Sequence, residues 1–174
     1  NKFDGLIVND LVFSSDYKII QNGVIRDFSI NLKNVNTEGN NSDNYNEDME
    51  NKLLAGLIYN FSIPLIKKTE NGVNYLTPIL SARYSPTETK NINNKETRVN
   101  YIDLFNINRL NEEDMIEGGE SVTLGGEYSF ENQGDKILGI SAAQVFRINE
   151  NNDLPINSSI GQKSSDIIGG VDFI

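Results

Sequence analysis

The side chains that most often carry chemistry in enzymes are absent from this sequence or have no suitable partner. The 174 residues contain no histidine and no cysteine, which removes the commonest general base and the thiolate nucleophile. A serine nucleophile would therefore have no imidazole beside it. The adjacent acids Glu112, Glu113 and Asp114 lie in polar sequence, where neighbouring carboxylates are usually solvated charges. The sequence predicts no catalytic site and no enzyme.

One acidic segment has the right atoms for a metal but the wrong spacing. Residues 43–50 (DNYNEDME) offer carboxylate and amide oxygens, which are ligands that Ca²⁺ and Mg²⁺ prefer. The segment lacks the spacing and the turn glycine of an EF-hand loop. The pairs Gly125-Gly126 and Gly169-Gly170 are not followed by a helical pattern, so they are not phosphate loops, and in strands they permit bends or close packing. We expect no metal and no cofactor.

The overall charge and hydropathy exclude two large classes of protein. The net charge is −10 and the isoelectric point is about 4.5, whereas binding to nucleic acid requires a basic surface. No window approaches the 18 or so consecutive apolar residues of a transmembrane helix. A transmembrane β-barrel needs only alternate apolar residues, so a mean hydropathy of −0.42 is compatible with one.

Apolar and polar residues alternate along most of the chain, which is the pattern of β-strands with one apolar face. The clearest stretches are Gly119–Glu131 and Lys136–Ile148, separated by a predicted tight turn at 132–135. Further strands are predicted at 10–19, 27–33, 53–63, 76–85 and, more weakly, Ser164–Ile174. The long stretches run for about 11 to 13 residues, whereas strands of globular proteins average about 5 or 6. A tilted transmembrane strand needs about 9 to 11 residues.

The predicted connections are alternately short and long. Short turns are expected at 21–23, 64–72 and 132–135, and long polar loops at 36–48, 87–118 and 149–163. This alternation is typical of outer-membrane barrels, which have short periplasmic turns and longer extracellular loops. The sequence therefore predicts an all-β fold, an antiparallel meander of about seven long strands that forms a segment of a large transmembrane β-barrel.

Strand parity assigns residues to the two faces of this sheet, because a shift by one residue would place every charge in lipid. The residues expected to face lipid are Leu57, Phe61, Leu80, Leu124, Ile140 and Phe146, and those expected to face the lumen include Arg83, Thr123, Glu127 and Arg147. Lys33, Arg83 and Arg147 are candidates for contact with phosphate, which guanidinium groups bind through two parallel hydrogen bonds. Ordinary ion pairs with Asp27 or Glu127 are the alternative interpretation.

The connection from Thr87 to Gly118 contains an apolar cluster within otherwise polar sequence. Its members are Ile102, Leu104, Phe105, Ile107 and Leu110. Leaving these side chains in water would forfeit several kcal/mol at about 25 cal/mol per Å². We expect an ordered loop with a short helical turn near Ile102–Asn106, which caps the lumen or contacts a plug protein. A flexible surface loop is the alternative.

Several segments of the chain resemble, in order, the central barrel region of the LptD family of lipopolysaccharide-assembly proteins. The most specific is Leu76–Pro86 (LTPILSARYSP), which is similar to a barrel strand of that family. Arg98–Leu110 and Glu117–Tyr128 follow it at family-like distances. Leu32–Asn36 and Ser164–Gly169 extend the resemblance over nearly the whole chain.

The resemblance implies a non-enzymatic role in the transport of lipopolysaccharide and its insertion into the outer leaflet of the bacterial outer membrane. It implies four partners: lipopolysaccharide, the plug lipoprotein LptE, the periplasmic proteins of the lipopolysaccharide bridge, and outer-membrane lipid. The chain starts without a methionine or a signal-peptide pattern. We expect residues 1–174 to be a partial barrel domain that lacks the periplasmic domain, the cysteines and the remaining strands of the family. No residue is assigned to the family's lateral gate.

Two other classes of protein share part of this pattern. A porin-like outer-membrane channel would show the same periodicity without the family segments. A soluble β-rich adhesin or binding module would show shorter strands and a dry core between two sheets.

Overall fold

A computed structural model of the protein describes residues 2–173, which form one antiparallel sheet. The strands are β1 (Phe3–Ser14), β2 (Lys18–Ile19), β3 (Ile25–Asn40), β4 (Glu50–Ser62), β5 (Leu65–Thr69), β6 (Gly72–Ser85), β7 (Gly119–Asn132), β8 (Asp135–Arg147) and β9 (Ile168–Phe173). Short 3₁₀ helices span Gln21–Gly23, Ile102–Phe105 and Ser159–Gly161. Within residues 2–173 there is no α-helix. The all-β prediction is confirmed.

Seven strands follow one another across the sheet in the order β1, β3, β4, β6, β7, β8 and β9. The two short strands, β2 and β5, pair with β3 and β6. Every pairing is antiparallel. Among the described residues the sheet is not closed, since β1 and β9 lie at its two ends. The predicted meander of about seven long strands is therefore correct.

The short strands arise where longer strands are interrupted. β4 pairs with β6 from Leu57 to Ser62, and β5 continues beside β6 from Leu65. Pro64 lies at the break, where a residue without a backbone N–H cannot donate to the ladder. The turn expected at 64–72 therefore contains a strand, and the prediction of a simple turn was wrong.

A similar break divides the strand expected at 10–19. β1 ends at Ser14, and β2 resumes the pairing with β3 at Lys18. At the break the Ser15 backbone N–H donates to the carbonyl of Phe28 over 2.9 Å, and the Phe28 N–H donates to the Ser15 hydroxyl over 3.0 Å. The serine side chain thus substitutes for one missing bond of the ladder.

The hairpin of β7 and β8 is closed by the turn predicted at 132–135. Gln133 has φ of 53° and Gly134 has φ of 93°, and two consecutive positive values are the requirement of a tight hairpin turn. Gly134 meets it without steric cost because it has no Cβ. The turn and a register shift between Phe130 and Glu131 together set the register in which Leu124 lies opposite Gln144.

Two other predicted boundaries shift in the structure. β3 continues to Asn40, so the loop expected at 36–48 spans 41–49. β9 begins at Ile168 rather than at Ser164, which forms only an isolated bridge to Phe146. Ile174, the last residue of the predicted strand, lies outside the described residues.

The two faces of the sheet differ as parity predicts. We call inner the face that the connection between β6 and β7 (loop 86–118) covers, and outer the opposite face. Buried polar residues of the inner face are Asn31, Lys33, Thr37, Ser81, Arg83, Ser85, Ser121, Thr123 and Arg147. Exposed apolar residues of the outer face include Leu11, Phe13, Ile30, Leu57, Leu80, Val122, Leu124, Ile140 and Phe146. Phe61 shares their parity and is half-buried.

The buried apolar residues lie between the inner face and the loops. The larger cluster contains Ile92, Leu104, Leu110, Met115, Ala143, Val145, Leu154 and Ile160, and the smaller contains Val35, Leu54 and Ile116. In both clusters, residues of loop 86–118 pack against strand residues. No helix in residues 2–173 has the length and apolar character needed to cross a membrane.

Candidate functional site

Loop 86–118 is ordered and lies against the inner face, as predicted from its apolar cluster. The 3₁₀ helix Ile102–Phe105 stands where the helical turn was expected. Leu104 is completely buried, and the Thr123 hydroxyl of β7 donates to its carbonyl over 3.2 Å. The alternative of a flexible surface loop is not what the structure shows.

The five predicted cap residues do not all pack against the sheet. Leu104 and Leu110 belong to the larger buried cluster, and Phe105 packs against it. Ile107 is half-buried near β4, whereas Ile102 is 72% exposed. The helical turn therefore directs Leu104 and Phe105 to the sheet and Ile102 to solvent.

Two glycines of the inner face make room for these side chains. A Cβ atom at Gly125 of β7 would lie 2.8 Å from Cζ of Phe105, and one at Gly56 of β4 would lie 3.0 Å from Cδ1 of Ile107. Both distances are shorter than ordinary carbon–carbon contacts. Close packing of the loop on the sheet therefore leaves little room for a Cβ at Gly125, in line with the close-packing role expected there, and favours glycine at Gly56.

Four charged residues, which we call the arginine cluster, join the loop to the sheet: Arg83 of β6, Arg147 of β8, and Arg109 and Glu117 of loop 86–118. The three guanidinium groups surround the Glu117 carboxylate. Arg109 Nε lies 3.1 Å from Oε2, Arg83 Nη1 lies 3.7 Å from Oε1, and Arg147 Nη1 forms an ion pair and hydrogen bond with Oε1. All four side chains are at most 2% exposed.

Hydrogen bonds from the arginine cluster extend to the backbone of the loop. Arg83 donates to the carbonyls of Ile107, over 3.2 Å, and Glu117. Arg147 donates to the carbonyl of Gly118 over 2.7 Å. In the opposite direction, Arg109 of the loop donates to the hydroxyl of Ser121 in β7 over 2.7 Å. The cluster thus connects the loop to three consecutive strands.

The arginine cluster carries more positive than negative charge. Three guanidiniums face one carboxylate, an excess of two positive charges. Arg83 Nη1 and Arg109 Nη1 have no hydrogen-bond partner in the part of the chain that the structure describes. Burial alone would raise the pKa of Glu117, but Arg109, Arg83 and Arg147 outweigh it, and the pKa is lowered below its ordinary value. Glu117 is therefore ionised, although buried charges are costly unless well paired.

Lys33 lies apart from the arginine cluster. Its Nζ donates to the carbonyl of Glu113 in loop 86–118 over 2.5 Å and lies 3.4 Å from Oδ2 of Asp10. The anticipated partners, Asp27 and Glu127, form no ion pair with Lys33, Arg83 or Arg147 within residues 2–173. Asp27 instead accepts a hydrogen bond from Asn60 over 3.0 Å.

A second contact joins loop 86–118 to the loop between β3 and β4. The Tyr45 hydroxyl donates to Asp114 over 3.1 Å, and Lys90 forms an ion pair with the same carboxylate. Lys90 Nζ also lies 4.9 Å from the centre of the Tyr45 ring, within the range of a cation–π interaction. Burial, followed by the charge of Asp114, raises the pKa of Tyr45 to about 12.

Two carboxylates of the acidic segment 43–50 pair with other side chains. Asp43 forms an ion pair with Lys2 at 2.6 Å, and Glu50 accepts a hydrogen bond from Asn46 over 2.5 Å. Among the residues described, no group of three or more acidic side chains could hold a metal ion.

The sequence identified two of the four residues of the arginine cluster. Arg83 and Arg147 follow from strand parity, whereas Arg109 and Glu117 were not assigned. Arg109 had one detectable signal, since it lies between Ile107 and Leu110 in the apolar cluster of the loop. A charge inside such a cluster predicts a buried ion pair.

Comparison with known proteins gives one family. The sequence model of a family described as "LptD: LPS transport system D" matches residues 24–174. The matched region includes β3 to β9, loop 86–118 and the whole arginine cluster. A search of curated protein sequences finds no significant match.

Proposed function

Because the chain belongs to the LptD family, whose members take part in lipopolysaccharide transport, we propose that it forms part of the wall of an outer-membrane barrel that inserts lipopolysaccharide into the outer leaflet. The family match over residues 24–174 is the observation that carries this proposal. The role is non-enzymatic and needs no cofactor. The chain is one part of a barrel domain.

The outer face supports a position against lipid. Large apolar side chains such as Leu80, Leu124 and Ile140 are exposed there on neighbouring strands. Soluble monomers rarely expose continuous apolar patches larger than a few hundred Å². Contact with outer-membrane lipid would remove this surface from water.

The inner face and its loop support a role in passage of the substrate. Lys33, Arg83 and Arg147 are cations of the inner face, and loop 86–118 covers all three. We propose that they meet lipopolysaccharide phosphates when the loop moves. Leu104, Phe105, Ile107 and Leu110 hold the loop in place. The exposed Ile102 is the cap residue available to the plug lipoprotein LptE, and the periplasmic bridge proteins deliver the substrate.

Deleting residues 100–110 from the intact protein tests the role of the loop. We expect the protein to reach the outer membrane at a normal level while permeability to large antibiotics rises, because the deletion removes the 3₁₀ helix and Arg109. The assay measures antibiotic entry together with lipopolysaccharide at the cell surface. Normal assembly with an unchanged permeability barrier would contradict a working role of the loop. A change in uptake of small solutes alone would favour a porin-like channel.

A further inference from the structure

We propose that Glu117 occupies a phosphate-binding site of the inner face, and that a phosphate group of the transported glycolipid displaces it and so releases loop 86–118. This inference rests on the proposed function. It deepens that function by making loop opening depend on a chemical group of the substrate.

The geometry of the arginine cluster is that of an anion site with an occupant from the same chain. Arg83 and Arg147 project from β6 and β8 toward one carboxylate, although those strands are separated by β7. Two guanidiniums that converge from a rigid sheet form a site for an anion whether or not the loop is present. Glu117 fills it from the loop.

The charges of the arginine cluster favour a doubly charged occupant. With Glu117 bound, the buried cluster keeps two positive charges in excess. Among the described residues, Nη1 of Arg83, Nε and Nη1 of Arg109 and Oε2 of Glu117 have no hydrogen-bond partner. If the loop leaves, Arg109 and Glu117 depart together, since both belong to it and form an ion pair. Arg83 and Arg147 then carry two positive charges on the sheet. A phosphate monoester with a charge near −2 balances them, and a carboxylate does not.

A surface cavity lies beside the arginine cluster, although the Arg147 side chain itself is only 1% exposed. Arg147 lines a surface cavity of about 620 Å³ together with Gly118 and Gly119, at the junction of the loop with β7. The rim of this cavity also carries the acids Glu88, Glu120, Glu150 and Asp153. These carboxylates repel small free anions. A phosphate carried by a glycolipid has additional contacts that hold it at the site, so the lipid-borne group is the expected ligand.

Accessibility of position 104 reports the opening of the loop. Leu104 is completely buried under the part of the loop that it belongs to, whereas Ile102 of the same loop is exposed. These 174 residues contain no cysteine. The test therefore introduces Leu104→Cys or Ile102→Cys into the intact protein in outer-membrane vesicles, with the unsubstituted protein as the blank. The labelling rate with a water-soluble maleimide is measured with a bis-phosphorylated glycolipid, with its dephosphorylated form, and with inorganic phosphate.

We expect the phosphorylated glycolipid to raise the labelling rate at position 104 at least fivefold and the dephosphorylated form to leave it unchanged. Position 102 should react at the same rate in all conditions. An equal response to inorganic phosphate would support the anion site and make phosphate itself sufficient. No response to the phosphorylated glycolipid, or an equal response to its dephosphorylated form, overturns the inference.

Substitutions in the arginine cluster distinguish displacement of Glu117 by phosphate from a general loosening of loop 86–118. Glu117→Gln should raise labelling at position 104 without ligand, since the occupant loses its charge while keeping its size. Arg83→Gln together with Arg147→Gln should abolish the response to the glycolipid. Lys90→Gln is the matched control, because it removes a cation that anchors the same loop, through Asp114, outside the arginine cluster. If Lys90→Gln abolishes the response as fully as the arginine pair, the assignment to the cluster is wrong.

Failure of the displacement mechanism can be distinguished from failure of the proposed function. Surface lipopolysaccharide is measured in the same cells. If the intact protein supports its delivery but position 104 never responds, only the displacement mechanism fails. If removal of the protein leaves delivery unchanged, the proposed function fails. If the double arginine variant fails to assemble, Arg147→Lys replaces it, because lysine keeps the charge but lacks the bidentate fork. A reduced response of this variant to the glycolipid supports the inference. An unchanged response contradicts it.

Discussion

Two consecutive glycines of β7 face opposite sides of the sheet and should tolerate substitution differently. At Gly125 an added Cβ would lie 2.5 Å from Cβ of Ala143 and 2.7 Å from the carbonyl oxygen of Ala142. At Gly126 the nearest atom, the carbonyl oxygen of Thr77, would lie 3.1 Å away. We expect Gly125→Ala to lower the free energy of unfolding by about 1 to 3 kcal/mol, as overpacking of a core does.

Gly126→Ala is the matched control for this prediction. It adds the same methyl group one residue along the same strand, on the outer face. Urea titration of both variants in the same detergent measures the difference. Equal loss of stability in the two variants would show that the contact with Phe105 and Ala143 is unimportant.

Glu117 should make docking of the loop sensitive to acid. A carboxyl whose pKa is lower in the folded protein stabilises the fold at pH values above its unfolded pKa, near 4.5. This stabilisation is lost as the pH falls through the pKa that the carboxyl has in the folded protein. Because Arg109, Arg83 and Arg147 hold the pKa of Glu117 down, we expect the loop to stay docked from pH 8 to about pH 5 and to loosen below that.

Proteolysis of loop 86–118 as a function of pH measures this loosening. Glu117→Gln should be cleaved rapidly at neutral pH and show little further change in acid. Asp114→Asn is the comparison, because Asp114 anchors the same loop through Lys90 and Tyr45 outside the arginine cluster. This role is ruled out if the wild-type loop resists proteolysis well below pH 4 and the loop of Glu117→Gln is cleaved at the same rate.

The residues of the arginine cluster show which interactions a sequence can predict. Arg83 and Arg147 could be assigned to the inner face because a period of two fixes the direction of every side chain in a strand. Their partner could not, because Glu117 is 34 residues from Arg83 and 30 from Arg147 and lies in a loop without periodicity. Asp27 and Glu127 were reasonable candidates from proximity along the strands. The loop brings a different acid to the same face.

At the level of elements, the 3₁₀ helix of loop 86–118 should stabilise the protein through one side chain. Leu104 is completely buried in the larger apolar cluster, whereas Ile102, two residues earlier, is 72% exposed. Leu104→Ala should cost about 2 to 5 kcal/mol, the usual range for a large-to-small change in a core. Ile102→Ala should change stability by less than about 0.5 kcal/mol.

Thermal unfolding of these two variants, followed by circular dichroism in detergent, tests the prediction. The pair shares one helical turn, so a general effect of altering that turn would affect both. If Leu104→Ala unfolds at the temperature of the unsubstituted protein, the loop adds nothing to the stability of the sheet.

The strands illustrate the limits of sequence patterns at this scale. Long alternating segments, such as β7 and β8, were predicted nearly residue by residue, since each face repeats over many positions. β5 was missed because Leu65–Thr69 has adjacent apolar residues followed by adjacent lysines and no alternation. Its pairing with the first half of β6 depends on the break at Pro64, and only the three-dimensional path of β4 reveals that.

For the whole molecule, the contrast between the two faces predicts which positions water can reach in the intact barrel. Leu80 and Leu124 lie opposite each other on the outer faces of β6 and β7, while Glu127 is exposed on the inner side of β7. We expect cysteine at position 80 or 124 to resist a water-soluble maleimide in intact membranes and to react with a membrane-permeant one. Cysteine at position 127 should react with both.

A charged substitution supplies an energetic test of the same assignment. Leu124→Arg should destabilise the protein in a bilayer by about 2 to 4 kcal/mol if the position lies near the midplane. In detergent, where the head group reaches water easily, the loss should be smaller. Ready labelling of position 124 by the water-soluble reagent would contradict the orientation of the entire sheet.

The buried arginines also have a consequence for the order of assembly. Strands β6 and β8 can pair with β7 while Arg83 and Arg147 still face water, since no ladder bond depends on Glu117. Burying these guanidiniums before the carboxylate arrives would leave unpaired charges in the interior, which is strongly disfavoured. Pairing of β7 with β6 and β8 brings Glu117, two residues before β7, near both arginines, whereas Arg109 and Leu104 arrive only when loop 86–118 folds back over the sheet. We therefore expect the wall to form first and the loop to close last, with backbone amides of β7 gaining protection from hydrogen exchange before Leu104.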